Sequence, residues 1–67
     1  MKFNDFVEEW NKIIKSDHTV SIYLSNSKNF YLNADKYYYN YRNKNIELAR
    51  NDSFIGRIPL NQIKRLR

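Results

Sequence analysis

In the stretch Thr19-Val20-Ser21-Ile22-Tyr23-Leu24-Ser25, apolar and polar side chains alternate without a break. Val20, Ile22 and Leu24 fall on one side, and Thr19, Ser21, Tyr23 and Ser25 on the other. This is the period-two pattern of a half-buried β-strand. Upstream the period is different. Phe3, Phe6, Val7, Trp10, Ile13 and Ile14 recur at helical spacing, which predicts an amphipathic helix over residues 4–16 that ends at Ser16-Asp17-His18. Asp5, with Glu8 three residues on, fits a capping box at its start. Glu8 and Lys12 form an i,i+4 pair in the favourable order, and Lys12 and Lys15 lie toward the negative end of the helix dipole.

Beyond Ser25 the strand period returns between turns. Asn26-Ser27-Lys28-Asn29 reads as a turn, after which Phe30, Leu32 and Ala34 alternate with Tyr31, Asn33 and Asp35. The run Lys36-Tyr37-Tyr38-Tyr39-Asn40-Tyr41 extends this second strand, with Tyr37, Tyr39 and Tyr41 on one side if it stays regular. Arg42-Asn43-Lys44-Asn45 is a turn, Ile46 and Leu48 mark a third strand, and Asn51-Asp52-Ser53 is another turn. Phe54-Ile55-Gly56-Arg57-Ile58 is a fourth strand, which stops or lies at an edge at Pro59 because proline cannot donate to a ladder. Leu60-Asn61-Gln62 reads as a 3₁₀ turn before a last strand, Ile63-Lys64-Arg65-Leu66. Five strands this short cannot build a sandwich. They fit a small, partly open barrel of SH3-like, OB or Sm type, with the helix over an opening. The expected fold is therefore α+β, mainly β: one domain over 1–67, with a helix at 4–16 and a five-stranded antiparallel barrel at 19–67. Trp10, Ile13, Ile22, Leu24, Leu32, Leu48 and Ile58 are its expected core.

Val20-Ser21-Ile22-Tyr23-Leu24, placed after an N-terminal helix and before a polar turn, resembles the Sm-like, Hfq-like family of small RNA-binding β-barrels. Ile58-Pro59-Leu60-Asn61-Gln62-Ile63 sits where that family has its short turn and last strand. The order of elements matches over residues 5–67, with about five residues matching in identity. The resemblance implies a ring-forming, RNA-binding architecture. It does not extend to the family's nucleotide pocket. Asn26-Ser27 stands where an Asn-Gly turn is usual, no glycine lies between Thr19 and Ser53, and the Lys-His pair near the end is absent.

Composition narrows the function. The chain has 67 residues, no cysteine and one histidine, so disulfides are excluded and a zinc site is not expected. A domain this small buries a limited share of its surface, which leaves self-association or a close-fitting partner as the expected stabiliser. The net charge of +5 is unevenly placed: residues 1–18 sum to −1 and residues 19–67 to +6. A basic body behind a near-neutral helix suits an acidic partner such as nucleic acid, and it also suits plain solubility. No apolar run reaches membrane-spanning length, and the first residues lack a signal-peptide core, so a cytoplasmic location without membrane contact is expected. Ten Asn and six Tyr beside seven Lys point to an AT-rich coding genome.

Catalytic chemistry has little to build on. There is no cysteine nucleophile, His18 lies at a helix–strand junction, and one glycine cannot make a phosphate-cradling loop. Asp35, Glu47 and Asp52 are scattered over a basic surface, where charge compensation is the ordinary role. Neither an enzyme nor a cofactor is expected. The tyrosines are more informative. If the alternation holds, Tyr23, Tyr31, Tyr37, Tyr39 and Tyr41 lie opposite the apolar set, interleaved with Lys28, Lys36, Arg42 and Lys44. Rings of this kind stack bases while cations follow phosphates; they also serve as cross-strand pairs or as protein hot spots. Arg50, Arg57, Lys64, Arg65 and Arg67 form a second basic group. The expected binding residues are Tyr31, Lys36, Tyr37, Tyr39, Tyr41, Arg42, Lys44, Arg57, Lys64 and Arg65, and the expected role is a module that binds RNA or single-stranded nucleic acid. The alternative is a small inhibitor or adaptor, encoded by a phage or mobile element, that occupies a protein target.

Overall fold

The computed structural model describes residues 1–67. Helix α1 spans Phe3–Asp17, followed by β1 (Val20–Leu24), β2 (Tyr31–Ala34), β3 (Lys36–Asn40), β4 (Asn45–Arg50), β5 (Ser53–Pro59), a 3₁₀ turn (Leu60–Gln62) and β6 (Ile63–Leu66). The helix starts one residue before the expected span and ends one after it. Its N-cap is Lys2, with extended backbone and no capping side chain, and the Phe6 N–H donates to the Lys2 carbonyl at 3.0 Å. The expected Asp5–Glu8 capping box does not form, because Phe3 is already helical and lays its ring on the sheet. Asp5 stays in the first turn, where the dipole favours an acid. At the other end His18 takes a left-handed conformation, φ 64°, and its N–H donates to the Ile14 carbonyl at 3.3 Å. The single histidine is thus the residue that terminates the helix.

The strands form two antiparallel three-stranded sheets. A terminal sheet, built from both ends of the strand region, has the order β2-β1-β6, and a central sheet is the meander β3-β4-β5. Two expectations are corrected here. The expected partly open barrel is replaced by two separate sheets, since β6 pairs only with β1 and β5 only with β4. There are six strands instead of five, because Asp35 divides the expected second strand into β2 and β3.

Asp35 also reverses the phase of the alternation. Leu32 and Ala34 face inward before it, as expected; after it Tyr37 and Tyr39 face inward, while Lys36 and Tyr38 face solvent. The expected outward placement of Tyr37 and Tyr39 is therefore overturned. The break is held by two hydrogen bonds from the β4–β5 hairpin: the Asp35 N–H donates to the Ala49 carbonyl, and Asp35 Oδ2 accepts the Asn51 N–H, each at 3.0 Å. Asn51 and Asp52, with φ of 52° and 65°, form the two-residue turn between β4 and β5, a conformation that Asn and Asp tolerate better than most side chains.

The core contains eleven buried residues, all apolar: Phe6 and Trp10 from α1, Val20 and Ile22 from β1, Ala34, Ile46, Leu48, Ile58, Leu60, Ile63 and Leu66. Of the expected core, Trp10, Ile22, Leu48 and Ile58 are buried, whereas Ile13, Leu24 and Leu32 are half-buried against the cluster. Phe30, expected inward, precedes β2 and is exposed, because the β1–β2 turn extends one residue further than read. The helix covers the core with an aromatic row. Tyr37 meets Phe6 and Trp10 edge-on at 4.9 and 4.8 Å, and Tyr39 stacks on Phe3. At Gly56 the two sheets come so close that a Cβ would lie 2.8 Å from Leu32 Cδ1.

Candidate nucleic-acid interface

The outer face of the terminal sheet carries one ordered row of side chains. Register places Tyr23 of β1 opposite Tyr31 of β2 on one side and Arg65 of β6 on the other. The Tyr23 and Tyr31 rings stack with centroids 5.0 Å apart and planes 28° from parallel. The Arg65 guanidinium lies over the Tyr23 ring, 4.7 Å from its centroid. A cation and two rings thus cross all three strands in the order Arg65, Tyr23, Tyr31. A planar guanidinium suits this position, since it stacks on an aromatic face and keeps its in-plane donors for another acceptor. Arg65 has no carboxylate partner, and its buried Nε has no acceptor.

The neighbouring row is polar. Asn33 Nδ2 donates to Ser21 Oγ at 3.0 Å, and the Ser21 backbone exchanges hydrogen bonds of 2.7 and 2.9 Å with Arg67. Arg67 falls on the same side of the strand direction as Arg65, two residues on. At the far end Tyr31 is 47% exposed on the unpaired edge of β2, with exposed Phe30 beside it. The Phe30 N–H donates to Ser27 Oγ at 3.1 Å, which steadies the turn leading into that edge.

The other expected site residues lie elsewhere, in four places. Tyr41, Arg42 and Lys44 sit at the β3–β4 turn, which is anchored by the Leu60 N–H donating to the Lys44 carbonyl at 2.9 Å. Tyr41 is 75% exposed and leans on Tyr39, centroids 4.6 Å apart. Tyr37 and Tyr39 belong to the helix–sheet contact. Lys36 and Arg57 lie on the outer face of the central sheet, each in an ion pair: Lys36 Nζ to Asp52 Oδ1 at 2.8 Å and Arg57 Nε to Glu47 Oε2 at 3.5 Å. The hydrogen bond and charge of Asp52 raise the Lys36 pKa, and the same hydrogen bond with Lys36 lowers that of Asp52. Lys64 lines a groove between α1 and β6 with Asp5, Glu8, Glu9 and Lys12.

Of the ten expected residues, only Tyr31 and Arg65 meet in the stacked row. The structure adds Tyr23 as its centre, and it adds Tyr38 and Phe54 as exposed rings on the other sheet. Strand alternation already placed Tyr23 outward; what it lacked was the pairing of β1 with β6. No group of three or more His, Cys, Asp or Glu side chains is arranged to hold a metal ion, and no helix is long and apolar enough to cross a membrane. Compared with family models, curated proteins and solved structures, the chain finds no match.

Proposed function

We propose that this chain is a non-enzymatic binding module for single-stranded nucleic acid, RNA in particular, and that it binds on the outer face of the terminal sheet. The observation carrying this reading is the Arg65–Tyr23–Tyr31 row. The free face of Tyr31 continues the stack outward at the sheet edge, where a base can add to it at about 1–3 kcal/mol. Arg65, Arg67 and Lys28 stand without carboxylate partners and supply phosphate contacts. The stretch Val20-Ser21-Ile22-Tyr23-Leu24 after an N-terminal helix, which resembles Sm-like RNA-binding proteins, points to the same ligand class.

Anisotropy titration of labelled oligo-U and oligo-A at two salt concentrations tests this. Tyr31→Ala should weaken binding by about 1–3 kcal/mol with either oligomer. Arg67→Ala should reduce the magnitude of the salt slope by about 0.7, the increment for one phosphate contact to a single strand. If the parent protein binds neither oligomer at low salt, the nucleic-acid reading fails and a protein target for the same face takes its place.

A further inference from the structure

The outer face of the central sheet differs chemically from the basic outer face of the terminal sheet. Tyr38 on β3 and Phe54 on β5 are 64% and 63% exposed, and they flank a shallow groove of about 320 Å³ floored by Ala49 and Glu47. Its cations are already neutralised, Lys36 by Asp52 and Arg57 by Glu47. An apolar, charge-balanced face offers little to a phosphate backbone and much to another protein surface.

The register gives this face a particular symmetry. One row across the sheet reads Tyr38, Glu47, Arg57; the next reads Lys36, Ala49, Phe54. The two rings therefore occupy one diagonal of the face and the two cations the other. Turn a second copy over by a two-fold axis lying in the face and running across the strands. Tyr38 then meets Lys36 of the second copy, Phe54 meets Arg57, and Glu47 meets Ala49. Tyr38 gains a cation, Phe54 adds a second to the Arg57 of its own chain, whose guanidinium lies 5.8 Å from the ring centroid, and the two Glu47 carboxylates stay apart. Reciprocal contacts of this kind are what an isologous interface requires.

We infer that the outer face of the central sheet is a two-fold dimer interface between copies of this chain. Its size sets its strength. The chain exposes 4810 Å² in all. If about a tenth of that is covered on each partner, the total buried area is near 1,000 Å², the lower limit for a specific interface. The dimer is accordingly weak and dissociates on dilution. The contact leaves the Arg65–Tyr23–Tyr31 row uncovered, so it does not depend on the nucleic-acid reading.

Sedimentation equilibrium over roughly a hundredfold range of concentration, up to the millimolar, reads the inference directly. The parent should move from monomer to dimer and no further, and Tyr38→Ser and Phe54→Ser should each remain monomeric at the highest concentration. Both residues are largely exposed, so both variants should keep the parent's circular dichroism spectrum. As a second readout, amide shift changes on concentrating the parent should centre on residues 36–38, 47–49 and 54–57. Tyr31→Ala, on the opposite sheet, should dimerise like the parent. Three outcomes would each overturn the inference: a monomer throughout, which leaves this face to a different protein; a dimer that survives both substitutions; or a ring of higher order.

Discussion

The Phe3 ring lies nearly flat on that of Tyr39, with centroids 4.1 Å apart and planes 15° from parallel, so an aromatic stack joins the first turn of α1 to β3. That contact exists because the alternation reverses at Asp35; without the reversal, Tyr39 would face solvent and Tyr38 the helix.

Adjacent tyrosines should therefore behave very differently on truncation. Tyr39→Ala and Tyr37→Ala remove rings packed against α1 and should each cost about 3 kcal/mol, the low end for losing a packed aromatic side chain. Tyr38→Ala should stay within about 0.5 kcal/mol in dilute protein, as for other surface substitutions. Urea denaturation of the three variants measures this. Equal losses at Tyr38 and Tyr39 would contradict the reversed phase.

Arg65→Lys separates stacking from charge. Lysine keeps the positive charge but loses the planar group that covers Tyr23. RNA affinity should fall while the salt slope stays as in the parent, since a phosphate contact remains possible. A variant that matches the parent in both quantities would remove the guanidinium stack from the binding account.

The Lys36–Asp52 pair makes a pH prediction whose sign differs at its two limits. Asp52 has a lowered pKa, so its contribution to stability is present above the unfolded carboxylate value and is lost as pH falls through the folded one. Lys36 has a raised pKa, so its contribution is present below the unfolded lysine value and is lost as pH rises through the folded one. Both groups are fully exposed, and salt should suppress the effect. Melting curves of the parent and Asp52→Asn should differ slightly between these limits at low salt, and coincide in strong acid or in high salt. A difference that persists in high salt would show a role other than the ion pair.

Gly56 and Leu32 should be energetically coupled. A methyl group at position 56 would meet only Leu32 Cδ1, the rotatable end of a half-buried side chain. Gly56→Ala should therefore be mild, while Gly56→Val should cost about 1–3 kcal/mol through overpacking. Leu32→Ala should relieve part of the valine penalty, giving a favourable coupling of at least about 0.5 kcal/mol in a double-mutant cycle. Strict additivity would mean that the two sheets are not in contact at this point.

Local signals were enough for the helix, the turns and every strand except the second, which divides in two. The change of period at Thr19, the turn residues at Asn51-Asp52 and the 3₁₀ turn after Pro59 are all visible in the chain, and each forms where those residues stand. The reversal at Asp35 was not legible, because Ala34-Asp35-Lys36 contains neither glycine nor proline. What holds the break is long-range: the Ala49 carbonyl and the Asn51 N–H reach it from the next hairpin. The placing of Tyr37 and Tyr39 failed with it. The stacked row was only half legible for a related reason. Alternation puts Tyr23 and Tyr31 outward, but the pairing of Tyr23 with Arg65 depends on a register between strands at opposite ends of the chain. The missing capping box likewise reflects tertiary contact, since the Phe3 ring reaches Tyr39 only if the helix starts ahead of Asp5.

The division into a continuous central meander and a terminal sheet assembled from distant segments also sets an order of events in time. Residues 36–59 pair with near neighbours across short turns, whereas Ile22 must find Leu66. Loop closure delays pairings of the second kind, so the meander should be structured in the transition state and β6 should dock afterwards. Leu48→Ala should then mainly slow folding, and Leu66→Ala mainly speed unfolding, in stopped-flow chevrons. Arg65 arrives with β6. The surface proposed to bind RNA should thus be the last part of the molecule to be completed and the first to be lost, and a ligand held there should reveal itself as a slower rate of unfolding.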